Sequence, residues 1–234
     1  MKKLQNNLNI ESVDLSKYSI FRELTSSDLN MLYQNVVSSI YKKGSTVYEE
    51  GTRITGPYIV CEGALKIYKT GLDGREQIIR FAKEGDLIGF RSIITDEQAC
   101  TTAEVLQDAV LLYMNGEVLL SLLRKSPEFS MSMLKLSCKE LGESNKFLTN
   151  LSQKSVRERL AEVLLIIMDT FELAPDKSLR VTLTREELAN MVGTATESVI
   201  RLLSEFKADK LIELNGRNIK ILNVPKLIKI GNYH

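Results

Sequence analysis

The sequence predicts an α+β chain in three parts: an antiparallel β domain over residues 1–126, a long dimerisation helix over 127–152, and a winged helix-turn-helix over 153–234. Three observations carry that reading. Gly51, Gly63, Gly74 and Gly85 fall 12, 11 and 11 residues apart with short apolar runs between them, the cadence of short strands joined by turns. Met131, Leu134, Cys138, Leu141, Asn145 and Leu148 are spaced 3, 4, 3, 4, 3, which is an a/d heptad seam. From Arg185 to Ser204, small, apolar and turn residues stand where two packed helices joined by a tight turn need them.

A chain of 234 residues exceeds one typical domain and can bury a core in each of two. With 44% hydrophobic and 26% charged residues it has the balance of a soluble globular protein. The net charge is only +1, with 18 basic against 19 acidic residues up to position 150 and 13 against 11 after it. Any surface for nucleic acid must therefore be local. Met1 to Asn7 carries two lysines but no apolar segment, which argues against a signal peptide. The longest aliphatic run, Val163 to Met168, is far short of a membrane span. Cys61, Cys100 and Cys138 include no CxxC pair, so they are expected to be reduced, buried small hydrophobes rather than a disulfide frame or a zinc site. The predicted compartment is the cytoplasm, with no membrane partner.

Along the chain, a helical pattern runs from Leu15 to Val37, broken near Glu23-Leu24, with Thr25 or Ser26 as N-cap. Strand-like runs follow at Tyr58–Cys61, Leu65–Tyr68, Gln77–Phe81 and Ala109–Tyr113. Together with the glycine cadence they predict a sandwich or barrel of about seven or eight strands. Helix returns after Asn115, and Pro127 suits the first turn of a helix reaching about Leu151. Its heptad seam fits either a second copy of the chain or the helix's own domain. The narrowness of the seam and its polar Asn145 favour the homodimer. A further helix, Ser155 to Phe171, precedes a loop at Ala174–Lys177 and a short strand from Leu179 to Leu183.

In the helix-turn-helix, Ala189 allows close approach of the two helices and Gly193 supplies the turn. Val199, Leu202, Leu203 and Phe206 form the buried stripe of the second helix. Thr184 to Glu187 and Thr194 to Glu197 each read as a capping box. Asn215-Gly216 between two apolar runs is a hairpin signal for the wing, from which Arg217 and Lys220 would reach phosphates. Thr196, Glu197, Ile200 and Arg201 face away from the buried stripe. Glu197 and Arg201 could form an i, i+4 surface ion pair. In a major groove the same glutamate can accept from cytosine N4, and the arginine can donate twice to guanine. Thr184 and Arg185, at the start of the first helix, suit phosphate anchoring.

Leu183-Thr184-Arg185-Glu186-Glu187-Leu188-Ala189, Glu197-Ser198-Val199-Ile200-Arg201 and, in the β domain, Glu84-Gly85-Asp86-Leu87-Ile88-Gly89 are the most specific stretches. With the order of domains they resemble the Crp–Fnr family, from about Leu15 to Pro225. The resemblance implies that the β domain is a jelly-roll β-roll of the cyclic-nucleotide-binding type. It places Glu197 and Arg201 at the family's base-reading positions and Thr194, Thr196 and Ser198 at other contact positions; Thr196 stands where the cyclic-AMP receptor protein has arginine. In the effector region, Gly89 is kept, but Phe90 replaces the glutamate that holds the ribose, and Thr101-Thr102 replaces the Arg-Ser pair that holds the phosphate. A cyclic phosphate would lose its charged partner, so cyclic AMP is disfavoured. Arg91 or Arg75 is an alternative anion contact, and Ser144 and Asn145 fall near where relatives' dimer helices touch an effector. Iron–sulfur relatives need cysteines near the N-terminus, and none precedes Cys61. Haem relatives use a histidine in the roll, and His234 is the only histidine. No cofactor and no metal are therefore expected.

The predicted function is that of a transcription regulator, not an enzyme, with double-stranded DNA and a second copy of itself as partners. RNA polymerase and an unidentified small-molecule effector are further candidates. One alternative is the same fold without an effector, its activity set by abundance. The other, a cupin-like metal enzyme, needs histidines and carboxylates converging in the barrel.

Overall fold

Capping and strand register build the N-terminal unit of the computed structural model, which describes residues 13–233. Met1 to Asn7 and His234 lie outside the described residues. Thr25 caps helix α1 (Ser26–Gln34), its hydroxyl accepting from Asp28 N at 3.2 Å. Strands β1 (Val36–Tyr41), β2 (Thr46–Tyr48), β3 (Tyr58–Thr70), β4 (Glu76–Ala82) and β5 (Leu87–Ile88) follow. Then come helix α2 (Phe90–Thr95), strand β6 (Thr102–Met114) and helix α3 (Gly116–Lys125), whose N-cap Asn115 accepts from Glu117 N at 2.9 Å.

Strand order is β1-β6-β3-β4, with β2 pairing β6 and β5 pairing β3. β6 is the hub: it faces β1 from Val36↔Met114 to Tyr41↔Ala109, β2 at Thr46↔Glu104, and β3 from Tyr58↔Tyr113 to Tyr68↔Thr102, all antiparallel. One core cluster includes Val60, Leu65, Ile88, Val105 and Leu111 of the strands. A second joins Leu15, Phe21 and Leu32 to Leu119, Leu122 and Phe129, so helices seal one side of the roll.

The chain continues as α4 (Pro127–Gln153), α5 (Val156–Phe171), α6 (Arg185–Val192), α7 (Thr196–Ala208), the hairpin β7 (Ile212–Asn215) and β8 (Asn218–Ile221), and α8 (Val224–Gly231). Two compact units result. The first is built from residues up to Lys69 with Phe81–Glu143, the second from Thr70–Arg80 with Ser144 onward.

Several expectations are corrected. The first helix stops at Gln34, and Val36-Val37 belongs to β1, because β-branched residues with a long partner strand gain more as sheet. The sheet of the first unit has six strands among the described residues, not seven or eight. Tyr58–Cys61 and Leu65–Tyr68 are one strand, since Gly63 is a bulge and not a turn: register shifts between Val60 and Leu65. Leu179 to Leu183 alternates in burial but pairs only through isolated bridges, such as Leu173↔Leu179, and forms no strand. All three cysteines are free as expected, but Cys100 and Cys138 are exposed rather than buried. Burial pushes the half-buried Cys61 thiol up to about 11.

Gly63 shows how tightly the bulge is set. Its φ is +95°, and an added Cβ would lie 2.5 Å from the Asp108 carbonyl oxygen and 2.7 Å from Ala109 Cα. Those are backbone atoms of the neighbouring strand and cannot step aside. Gly63→Ala is expected to destabilise the first unit by about 2–4 kcal/mol, read as a lowered midpoint in urea unfolding.

Candidate nucleic-acid interface

The helix-turn-helix is built from its caps inward. Thr184 Oγ1 accepts from Glu187 N at 3.0 Å, and Glu187 Oε2 accepts from Thr184 N at 2.6 Å, which is the predicted capping box. α6 ends at Gly193, with φ +71°, where a left-handed residue is cheap only as glycine. There Gly193 N and Thr194 N both donate to Ala189 O, at 2.8 and 3.1 Å. The second predicted capping box does not form. Thr194 is drawn into closing α6, so Ala195 becomes the N-cap of α7 and offers no side-chain bond.

Along α7, Val199, Leu202, Leu203 and Phe206 are buried. Glu197, Ile200 and Arg201 are exposed, and Thr196 and Ser198 are half-buried. This is the division the sequence predicts, with the proposed reading face turned to solvent. The pairing on that face differs. Arg201 Nη1 donates to Glu205 Oε1 at 2.6 Å, so its ion pair is with Glu205 and not with Glu197. The i, i+4 spacing serves either direction. Glu205 prevails because its other oxygen is held by Arg157 Nη1 at 2.9 Å.

The wing turns through Gly216 and Arg217, since Asn215 pairs with Asn218. The two central residues are thus one position later than the Asn-Gly signal suggests. Gly216 has φ +58°, and Arg217 is exposed at the tip. Arg185 Nη2 donates to Gly216 O at 2.8 Å, which brings the start of α6 and the wing tip together. Burial lowers the Arg185 pKa from its ordinary value; an arginine stays charged nonetheless. Lys220 is half-buried, with its backbone bridged to Ser178.

Sequence reasoning missed the residues that lock this unit. Arg159 donates to four carbonyls: Lys154 at 2.6 Å, Val192 at 2.8 Å, and Leu151 and Gly193 at 3.3 Å. It thereby ties the end of α4 and the start of α5 to the helix-turn-helix turn. Beside it the buried Glu162 carboxylate accepts from Asn150 Nδ2 at 2.8 and 3.0 Å and from Lys154 Nζ at 2.9 Å, while Lys154 also donates to Gly231 O at 2.7 Å. The only sequence signal was a Glu inside an otherwise apolar helix face, among Ala161, Val163, Leu164 and Leu165.

On α4, Phe129 and Met133 enter the core of the first unit. The seam residues do not: Met131, Leu134, Leu141 and Leu148 are 51%, 56%, 63% and 62% exposed. Cys138 and Asn145 on the same stripe are exposed too.

In the roll, Gly89 has φ +78° and starts α2, and an added Cβ would meet Ile54 Cδ1 at 2.9 Å. Phe90 is buried in the helix-facing core. Thr102 is buried, its hydroxyl accepting from Glu50 N at 3.0 Å; Thr101 is half-buried. Arg91 lies at the surface, with Nη2 on Glu97 Oε2 at 2.5 Å. Among the described residues no group of three or more His, Cys, Asp or Glu could hold a metal ion, and no helix is long and apolar enough to cross a membrane.

Residues 39–126 match the model of the cyclic nucleotide-binding domain, and residues 158–230 match that of the Crp-like helix-turn-helix domain. The chain belongs to the Crp–Fnr family. Among its relatives, the Fumarate and nitrate reduction regulatory protein of Vibrio cholerae is 28% identical over 228 residues, 96% of this chain and 90% of that protein. The CRP-like cAMP-activated global transcriptional regulator of Mycobacterium tuberculosis is 28% identical over 92% of this chain and 97% of its own length. A solved structure of a crp/fnr-family transcriptional regulator from Eubacterium rectale superposes with a TM-score of 0.76 at 21% identity, covering 92% of this chain and 98% of that one. This Crp–Fnr chain is a DNA-binding transcription regulator, with the roll, helices and C-terminal helix-turn-helix of that fold.

Proposed function

We propose that the protein binds an inverted-repeat operator as a homodimer, in the cytoplasm and without enzymatic activity, reading each half-site with Glu197 and Arg201. The observation that carries this reading is the two-sidedness of α7: its buried stripe anchors the helix, and its opposite face holds a carboxylate and a guanidinium in solvent. Those are the groups that recognise cytosine N4 and guanine O6/N7. Thr196 and Ser198 flank them, and Thr184, Arg185, Thr194 and Arg217 supply phosphate contacts that fix register. The exposed α4 seam is the dimerisation surface, and two such helix-turn-helices would present half-sites about 34 Å apart. RNA polymerase is the partner through which bound protein would act on transcription.

The roll favours a regulator that does not take a cyclic nucleotide in the family's manner. Phe90 is part of the core and Thr102 is engaged with the Glu50 backbone, so neither offers a charge to a ribose or a phosphate. The same fold with activity set by abundance is the reading this favours. Haem and an iron–sulfur cluster held in the family's manner are disfavoured, because His234 is the only histidine and the three cysteines stand far apart in sequence at 61, 100 and 138.

Duplexes carrying every single base-pair change across a bound site test the reading. Glu197→Ala is expected to level the preference at one position per half-site. Arg201→Ala should cost about 1–3 kcal/mol at an adjacent G·C pair, and added cyclic AMP should leave affinity unchanged. Preserved preference in both variants would show that α7 is not the reader.

A further inference from the structure

Glu205 stands between the exposed arginine of α7 and the interior of the DNA-binding unit. Its Oε1 accepts from Arg201 Nη1 at 2.6 Å, and its Oε2 accepts from Arg157 Nη1 at 2.9 Å. Arg157, from α5, is itself fixed at two further points. Its Nη2 donates to Asp209 Oδ2 at 2.8 Å, and its guanidinium carbon lies 4.8 Å from the ring centroid of the buried Phe206. A core aromatic thus holds Arg157, Arg157 holds Glu205, and Glu205 holds Arg201.

We propose that Glu205 is a positioning residue that sets base specificity by holding the Arg201 guanidinium in place before DNA arrives. The inference rests on the reading that Arg201 contacts a base. An arginine that contacts DNA must surrender its rotamer freedom, and a guanidinium already restrained surrenders less. The bond to Glu205 is made through Nη1, whereas the parallel N–H pair of the Nε–Nη2 edge is suited to bidentate contact with guanine. Charge points the same way. Arg157, Arg201, Glu205 and Asp209 sum to zero, so the cluster offers little attraction to phosphates. A neutral set spanning two helices is poorly made for sequence-independent binding and well made for fixing one donor edge.

The proposal makes specificity and general affinity move differently. Glu205 is a carboxylate near the DNA-facing side of α7, so removing it relieves repulsion of phosphates while releasing Arg201. Wild type, Glu205→Ala, Glu205→Gln and Arg201→Ala would be compared on three duplexes: the bound site, that site changed at the pair Arg201 reads, and an unrelated sequence, all at one salt concentration. Glu205→Ala is expected to lower the preference for the first duplex over the second by about tenfold, the lower range of one bidentate base contact. Affinity for the unrelated duplex should hold or rise. Glu205→Gln, which keeps an acceptor oxygen, should retain an intermediate preference, and it decides the matter if Glu205→Ala melts below wild type. If Arg201→Ala abolishes the preference while both Glu205 variants keep it in full, Arg201 reads a base unaided and the proposal is overturned. If Arg201→Ala keeps the preference too, the reading of Arg201 falls with it.

Discussion

A Leu141→Glu chain is expected to fold, to run as a monomer, and to bind a full operator at least a hundredfold more weakly than wild type. Leu141 is the most exposed of the four large apolar side chains on the α4 stripe. Each such side chain contributes about 1.5–3 kcal/mol when fully buried, and a homodimer buries two copies of each. A glutamate at the middle of the seam places two carboxylates against each other in an apolar strip, where neither finds a partner. The roll and the winged helix-turn-helix do not use this side chain, so unfolding at low protein concentration should be unchanged. Operator affinity falls because the second half-site is no longer held by a tethered copy; linkage of this kind multiplies affinity by roughly 10²–10⁴. Sedimentation and operator titration read both effects. Cys138, exposed on the same stripe, adds a chemical readout: oxidation should join two wild-type chains and fail to join two Leu141→Glu chains.

The second large effect is expected at Glu162. Its side chain is 6% exposed and that of Lys154 is 13% exposed, so the pair is nearly dry. Glu162→Ala would leave the Lys154 ammonium with the Gly231 carbonyl alone and would strip the Asn150 amide of its acceptor. Breaking one side of a buried pair costs about 3–5 kcal/mol, a large share of the stability of a domain this size. Urea unfolding of the second unit should record the loss. The double variant Lys154→Met, Glu162→Leu should recover most of it, because two apolar groups of similar volume need no partner. Recovery would show that the stranded Lys154 ammonium, rather than the loss of a bridge between α4, α5 and α8, makes the single variant unstable.

Much of this was legible because local chemistry and global fold agree. Thr184 with Glu187, the glycine at 193 and the apolar positions of α7 each specify their place within a few residues of sequence, and so do Thr25 and Asn115 as caps. The α4 seam was readable because a heptad spacing declares a helix face whatever it packs on. What was hidden depends on pairs distant in sequence. The bulge at Gly63 answers to β6, and a period of glycines cannot distinguish a bulge from a turn. Arg201 could pair within its own helix in two directions, and the choice is made by Arg157, 44 positions earlier. Glu162 sits on an apolar face with no local reason to be charged; its partners Asn150 and Lys154 are brought to it only by the turn between α4 and α5. The capping signal at Thr194 failed for a related reason: the same residue was needed to end the helix before it.

On the proposed reading, two copies of the chain recognise a two-fold-symmetric DNA site through α7. Selection of bound duplexes from a fully random pool by the wild-type protein, near physiological salt, tests it most directly. An enriched inverted repeat is expected whose half-site centres lie about 10–10.5 base pairs apart, with a conserved G·C pair in each half-site. Enrichment of a single unrepeated motif, or no enrichment beyond the salt-sensitive background of any basic surface, would contradict it.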